Sequence, residues 1–372
     1  MTKYVWQNSS WPKFTWDKDK IFSALTEAKK AQGYILGQAN VLNLEDEAQI
    51  FVQETFTTSA IEGETLDKAS IRSSVAKRLG LDTGGIVKTQ RNIDGVVEVL
   101  VDATRNYTKP INDHRLFGWH AALFPTGHSG INKIEAGGWR KTVIPMRVIS
   151  GAMGKEKIHY EAPSSKDVPR EMKTFLKWFN EESGCDGLIR SAIAHFWFIT
   201  IHPFEDGNGR IARAITDMAL AQDEKLSKRL YSLSSQIMID KKKYYDVLEK
   251  TQKGSGDITK WLLWFLNMFI CSIDNSKALI QKAIFIGEFY KFYAGTVFNE
   301  RQSKVIKKLL DHLPDDFSGG LTNKKYVNIC KTSPESAKRD IADLLDKGVL
   351  LPNEGRGRST SYRLKKDLDK QK

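Results

Sequence analysis

Two helical patterns meet at one short loop, and that junction limits the fold more than any other stretch of the chain. Leu188 to Phe198 is apolar with helical spacing, and Arg210 to Leu220 resumes a helical pattern. Between them His202-Pro203 breaks the first helix, since proline has no N–H and disfavours helical geometry in the residue before it. Glu205, Asp206, Gly207, Asn208 and Gly209 then form a turn-rich loop. Its glycines let backbone N–H groups approach an anion, at the positive end of the next helix dipole. Arg210 and Arg213 lie three apart, so they share a face near that end and can clamp phosphates. An acid inside such a loop makes sense if Asp206 meets a bridging Mg²⁺. His202, just upstream, is placed to act as a general base. Singly these are a helix-end histidine, a turn and a solvated arginine pair; it is their coincidence between Ile199 and Arg213 that carries weight.

At 372 residues the chain is long enough for two or three domains. Its 41% hydrophobic and 27% charged content reads as soluble and globular. The longest apolar run, Trp261 to Cys271, is interrupted by Asn267 and too short to span a bilayer. The N-terminus lacks the apolar core of a signal peptide. The expectation is a cytoplasmic protein with no membrane association. Cys185, Cys271 and Cys330 are odd in number and far apart, which argues against a disulfide framework or a zinc site. The net charge of +12 suits an anionic partner, nucleotide or nucleic acid, and solubility alone would also account for it.

The remaining chain reads as mainly α. Residues 1–95 form an N-terminal helical region: Trp6, Trp11, Trp16 and Phe14 are expected to pack rings on a core, Asp17 caps a helix whose face holds Ile21, Leu25, Ala28, Ala31 and Ile35, and Asp46 to Ser59 is a further helix ending near Gly63. Residues 96–275 are a helical core interrupted by a hairpin signal, Thr142 to Ser150 and Lys157 to Glu161 around GAMGKE. Pro145 demotes the first strand to an edge or a bulge. Such a hairpin can recruit another chain by strand addition or merely cover the core. Residues 276–300 read as a connecting helix. Residues 301–372 hold 17 Lys+Arg against 10 Asp+Glu, a net +7. There Val305, Ile306, Leu309 and Leu310 make one helical face, LTNKKYVNIC a second helix, and Ser333-Pro334-Glu335 opens a third with Ile341, Leu344 and Leu345 inward. Strand, glycine-rich tip and strand follow, so that residues 301–366 resemble a winged helix-turn-helix domain.

The stretch from His202 to Arg213 matches the signature H-x-F-x-[D/E]-G-N-G-R-x-x-R of the Fic family at His202, Phe204, Asp206, Gly207, Asn208, Gly209, Arg210 and Arg213. It resembles the adenylyl-transferring branch; the related Doc-type kinases carry a lysine where this chain has Gly209. The resemblance implies ATP as substrate and a protein hydroxyl as acceptor. His202 would be the base, and Asp206 would hold Mg²⁺. Gly207, Asn208 and Gly209 would cradle phosphate, while Arg210 and Arg213 would contact the β- and γ-phosphates. Phe204 would anchor the core. The hairpin would be the family's flap: Val148, Ile149, Ser150 and Gly151 lining the nucleotide site, and its outer edge over 142–161 aligning a target protein. Tyr244 and Gln252 match the adenosine-side segment, and His195 reads as structural. Thr58 to Gly63 fits [S/T]-x-x-x-E-[G/N], the family's inhibitory motif, which implies that Glu62 pairs with Arg213 and displaces the γ-phosphate. This places the chain with the self-inhibited subclass.

Other readings stand beside this one. The C-terminal domain can bind DNA, with Lys338, Arg339, Arg356 and Arg358 as its contacts and the Fic core as a sensor; against that, Asp340, Asp343 and Asp346 place acid among those basic residues, and docking or dimerisation modules share this shape. Transfer of another nucleotide or phosphate group is compatible with the motif. Self-modification and a homodimer are left open.

Overall fold

The computed structural model describes residues 4–81, 89–150, 157–181, 184–313, 317–354 and 360–368. The fold is mainly helical and divides into two compact units, residues 1–276 and 277–372.

In the first unit the chain opens with a single 3₁₀ turn at Val5–Gln7 and continues through α1 (Lys18–Gly37), α2 (Leu44–Ile61), α3 (Lys68–Leu79), α4 (Arg91–Arg105) and α5 (Asp113–Leu123). Two short antiparallel pairs follow, β1 (His128–Ser129) with β2 (Asn132–Lys133), and β3 (Arg147–Ser150) with β4 (Lys157–Glu161). Then come α6 (Val168–Asn180), α7 (Gly187–Ile201), α8 (Asn208–Glu224), α9 (Leu233–Ile239), α10 (Lys241–Gln252) and α11 (Thr259–Phe292). At the centre α7 packs against α8. From Leu188 to Ile201 only Arg190 of α7 is not fully buried, which explains a sequence apolar on all faces. The N-terminal aromatics cover it: the rings of Trp11 and Trp197 meet edge-on at 6.1 Å, and those of Phe14 and Phe196 at 5.5 Å.

Asp17 caps α1 as expected, accepting from Lys20 N at 3.1 Å. Helix α2 starts earlier than the apolar pattern suggests, because Asn43 and Asp46 form a capping box ahead of it. It is also buried on polar residues. Glu54 accepts from Ser232 Oγ at 2.6 Å and Ser234 N at 3.2 Å, and Glu47 from Arg105 at 2.6 Å. The hairpin's first strand is shorter than expected and begins only after Pro145, which cannot donate to a ladder. Val148 faces Tyr160 and Ile149 faces Ile158, so His159 is the extra residue of a β-bulge.

The helix expected at 276–300 is not a separate element. Residues to Phe292 continue α11, and a turn precedes Glu300. The second unit builds α12 (Glu300–Asp311), α13 (Asn323–Cys330) and α14 (Pro334–Asp346) with the antiparallel pair β5 (Leu350–Pro352) and β6 (Tyr362–Leu364). Val305, Ile306, Leu309, Tyr326, Ile341, Leu344, Leu350 and Leu364 share its core. Ser333 caps α14 with Pro334 in its first turn, and Gly348 (φ 67°) ends it. Arg356 and Arg358 lie outside the described residues.

Gly95 brings α4 close against the backbone of α5. A Cβ there would overlap the backbone of Ala122 on α5, whereas one on Gly118 would meet open space. Gly95→Ala should therefore destabilise by at least the about 1–3 kcal/mol typical of overpacking, while Gly118→Ala should be neutral or stabilise by up to about 1 kcal/mol. Thermal unfolding of the two variants measures the contrast, and equal melting temperatures would contradict it.

Candidate active site

The loop between α7 and α8 is held in an unusual shape. His202 ends α7 in the left-handed region (φ 52°, ψ 59°), with its N–H on Phe198 O at 3.0 Å. A non-glycine residue there costs about 1–2 kcal/mol and needs support. Arg140 supplies it: its side chain is 2% exposed, its Nε donates to His202 O at 2.8 Å, and its backbone N donates to Pro203 O at 3.0 Å. Asn208 closes the loop from within, accepting from Phe204 N at 2.9 Å and donating to Phe204 O at 2.8 Å. Its side chain is thus committed to loop shape, and only its backbone is left to meet a ligand. Gly207 takes φ 75°, and a Cβ there would press on Phe124. Phe204 is fully buried and stacks on His120 at 4.2 Å.

A cavity of about 520 Å³ opens above this loop. Of the residues singled out in the sequence, Glu62, Val148, Ile149, Ser150, His202, Asp206, Asn208, Gly209, Tyr244 and Gln252 line it. Gly151 lies outside the described residues. Arg213 sits behind the lining, 2% exposed. Its Nε donates to Thr58 Oγ1 at 2.7 Å, and its Nη2 donates to Thr58 O at 2.9 Å and Glu62 Oε1 at 2.7 Å. Thr58 and Glu62, at the end of α2, are thereby brought onto α8 from about 150 residues away. A Cβ on Gly209 would collide with Glu62 Oε1, so the carboxylate rests against the N-terminal turn of α8. That is the place where helix geometry favours an anion. Gly63 (φ 86°) turns the chain immediately after.

Several residues at the site carry no local signature. Ser129 donates to Asp206 Oδ2, while Gly207 N donates to Oδ1 at 2.6 Å. His159, lifted by the bulge, bonds Ser150 Oγ at 2.5 Å and Glu249 at 2.6 Å, joining the hairpin to α10. Arg140, Ser129 and His159 reach the site through tertiary contacts alone. His195 is buried between Thr216 (2.9 Å) and the Tyr244 hydroxyl (3.0 Å). Gln252 reaches Thr200 Oγ1 at 3.3 Å.

Among the described residues no group of three or more His, Cys, Asp or Glu forms a metal cage. The donor set fits a hard cation carried largely by substrate phosphates, with Asp206 as the protein's carboxylate. Ser129 would then have to release one Asp206 oxygen.

Burial holds His202 down to about 4, against its contact with Ile199 O, and Arg140 adds to the depression. Because Ile199 O can only accept, Nδ1 carries the hydrogen in that 3.2 Å contact and Nε2 keeps its lone pair. A neutral imidazole with a bare Nε2 is the form a base requires at neutral pH.

Residues 110–220 match the Fic/DOC family model, and residues 4–81 match a domain of unknown function (DUF4172). The chain is 25% identical over 215 residues to the protein adenylyltransferase Fic of Culex quinquefasciatus, covering 56% of this chain and 38% of that protein. It is 23% identical over 242 residues to the protein of the same name from Aedes aegypti, covering 63% and 44%. The chain thus spans about two fifths of the length of these relatives. A Fic family protein from Desulfovibrio desulfuricans G20 shares its fold, with a TM-score of 0.58 at 18% identity over 96% of this chain and 98% of that one.

Burial lowers His120 to about 4 and His195 to about 3 as well as His202 to about 4, all from 6.5. Each ring binds its proton less readily folded than unfolded. Their contribution to stability is complete above about pH 6.5 and is lost as pH falls through about 4 for His120 and His202 and about 3 for His195. Histidine NMR titration should find these three rings neutral at pH 6; a His202 titration midpoint of 6.5 or higher would contradict the assignment.

Proposed function

We propose that this chain is a protein adenylyltransferase: it moves AMP from ATP to a hydroxyl side chain of a target protein, releases pyrophosphate, and is restrained by Glu62. One observation carries the reading: the Glu62 carboxylate rests on Arg213 at 2.7 Å and against the first turn of α8, in the cavity that also holds His202. An anion-binding helix end plugged by the protein's own anion, beside a neutral histidine, suits a regulated phosphate-transfer site.

In this reading the α-phosphate lies over the loop from Asp206 to Gly209, whose backbone N–H groups stabilise developing charge. His202 Nε2 takes the proton of the target hydroxyl as that oxygen attacks the α-phosphorus. The bond to the β-phosphate oxygen breaks, and pyrophosphate leaves. Mg²⁺ held by Asp206 would supply charge neutralisation at the phosphates. Arg140 keeps the His202 backbone in its left-handed turn and so aims the ring. The target would lie along the open edge beside β3, where Val143 (85% exposed), Ile144 (75%) and Ile149 (54%) offer apolar anchors.

Incubation of Glu62→Gly with ATP labelled at the α- or the γ-phosphate, in lysate, tests the reaction. Label should transfer from the α-position only, and more than in the parent. His202→Ala in that background should lower transfer by about 10²–10⁴-fold while nucleotide binding persists. Transfer of γ-label would replace the reading with phosphoryl transfer.

A second reading concerns the C-terminal unit, a winged-helix-type DNA contact. Of the three α14 acids that argued against it, Asp340 is buried, Asp343 is half-exposed but bonded, and Asp346 stays exposed. Asp340 accepts from Arg301 at 2.7 and 3.1 Å and from Tyr326 at 3.0 Å, and Asp343 accepts from Gln302 at 2.7 Å. Lys338 and Arg339 remain exposed. Binding of the full chain to duplex DNA should weaken with salt. Lys338→Ala with Arg339→Ala should reduce the slope of log K against log salt by about 0.9 for each phosphate that is no longer neutralised. Binding indifferent to salt and to both changes would remove this reading.

A further inference from the structure

The turn that delivers Glu62 delivers a second carboxylate. Two residues on, beyond Gly63, Glu64 Oε2 accepts from Arg210 Nη1 at 3.0 Å, and Glu64 Oε1 accepts from Asn92 Nδ2 at 3.3 Å. Each of the two arginines of the anion site is therefore occupied by a different acid of one short segment: Arg213 by Glu62, Arg210 by Glu64. Two further donors of this pair are starved. Arg210 Nε and Arg213 Nη1 are buried with no hydrogen-bond partner among the described residues. Arg210 also lies over the Phe124 ring at 5.0 Å, which fixes where its charge sits. Buried guanidinium donors without acceptors mark a place built for more oxygen than the protein supplies.

We propose that Glu64 is a second gate on this site and sets how many phosphates the resting protein accepts. The inference rests on the nucleotide reading above. In that reading the first phosphate lies over the loop backbone and calls on neither arginine. A second phosphate must displace Glu64 from Arg210, and a third must displace Glu62 from Arg213. The two gates differ in strength. The Glu64 side chain is 38% exposed against 33% for Glu62, but its arginine is 9% exposed against 2%. The Glu62 pair is the deeper one, and it is reinforced by Thr58; the Glu64 pair is the more solvated and the easier to open. Removing Glu62 alone therefore leaves Arg210 still engaged.

Calorimetry on the full chain with AMP and with ADP separates the gates. AMP should bind the parent and Glu64→Gln equally. ADP affinity should rise about two- to fivefold in Glu64→Gln, the scale of one partly exposed ion pair. Gln keeps the size of the side chain, so folding is not at issue. If Glu64→Gln leaves ADP affinity unchanged or weakens it, Glu64 aligns Arg210 rather than blocking it, and the gate is overturned. If AMP binds neither protein, the nucleotide site itself is wrong and the gate falls with it. The parent alone reports that second outcome, so the two failures are distinguishable.

Discussion

The buried guanidinium of Arg213 is the interaction on which the site depends. A charge 2% exposed can persist only where acceptors surround it. Here the acceptors are Thr58 Oγ1, Thr58 O and Glu62 Oε1, all from the last turn of α2. The same contacts that solve the desolvation problem of α8 thus fix the end of α2 over the cavity. Under the proposed function, structure and restraint would be one set of hydrogen bonds. Any anion that replaces the Glu62 carboxylate must also satisfy Arg213, which is what a phosphate oxygen does well.

The rest of α2 is held in the same polar manner. Glu54 is bound by Ser232 and Ser234, Glu47 by Arg105, and beneath them Asp217 pairs with Arg229 at 2.5 Å. Burial pushes the carboxyls of Asp217 and Glu224 up to about 7, against the pull of Arg229 and neighbouring donors. A helix anchored by directional bonds has one register, whereas an apolar face tolerates small slides. The position of Glu62 is set from several turns away, and its carboxylate meets Gly209 rather than passing beside it.

The loop works by a similar economy of groups. Its left-handed histidine, its inward asparagine and its two glycines leave backbone N–H groups as the polar surface facing a ligand. Arg140 is the hidden support, since its bond to His202 O keeps the strained turn from relaxing. Burial keeps the imidazole neutral at the same time. Geometry and protonation state therefore share one cause, the close packing around the end of α7.

What the sequence determined by itself is local. The helix–loop–helix around His202-Pro203, the caps at Asp17 and Ser333, the glycine loop and the inward faces of α12 and α14 all depend on residues within a turn or two of one another, so periodicity and capping chemistry reveal them. Pro145 marked a weak strand for the same reason, though not how much of it would be lost. The extent of α11 was hidden, because an apolar pattern that continues past residue 276 looks the same whether one helix or two carries it. Only the tertiary structure decided which distant groups meet. Nothing local marks Arg140 as the support of His202, Ser129 as the partner of Asp206, or the bulge that turns His159 toward Glu249. Glu64 directly follows a motif and still gave no sign of its partner, since an ion pair between residues 64 and 210 is a property of the packed core. Local patterns are set by short-range sterics and hydrogen bonds; contacts across 146 residues exist only once burial has brought the helices together.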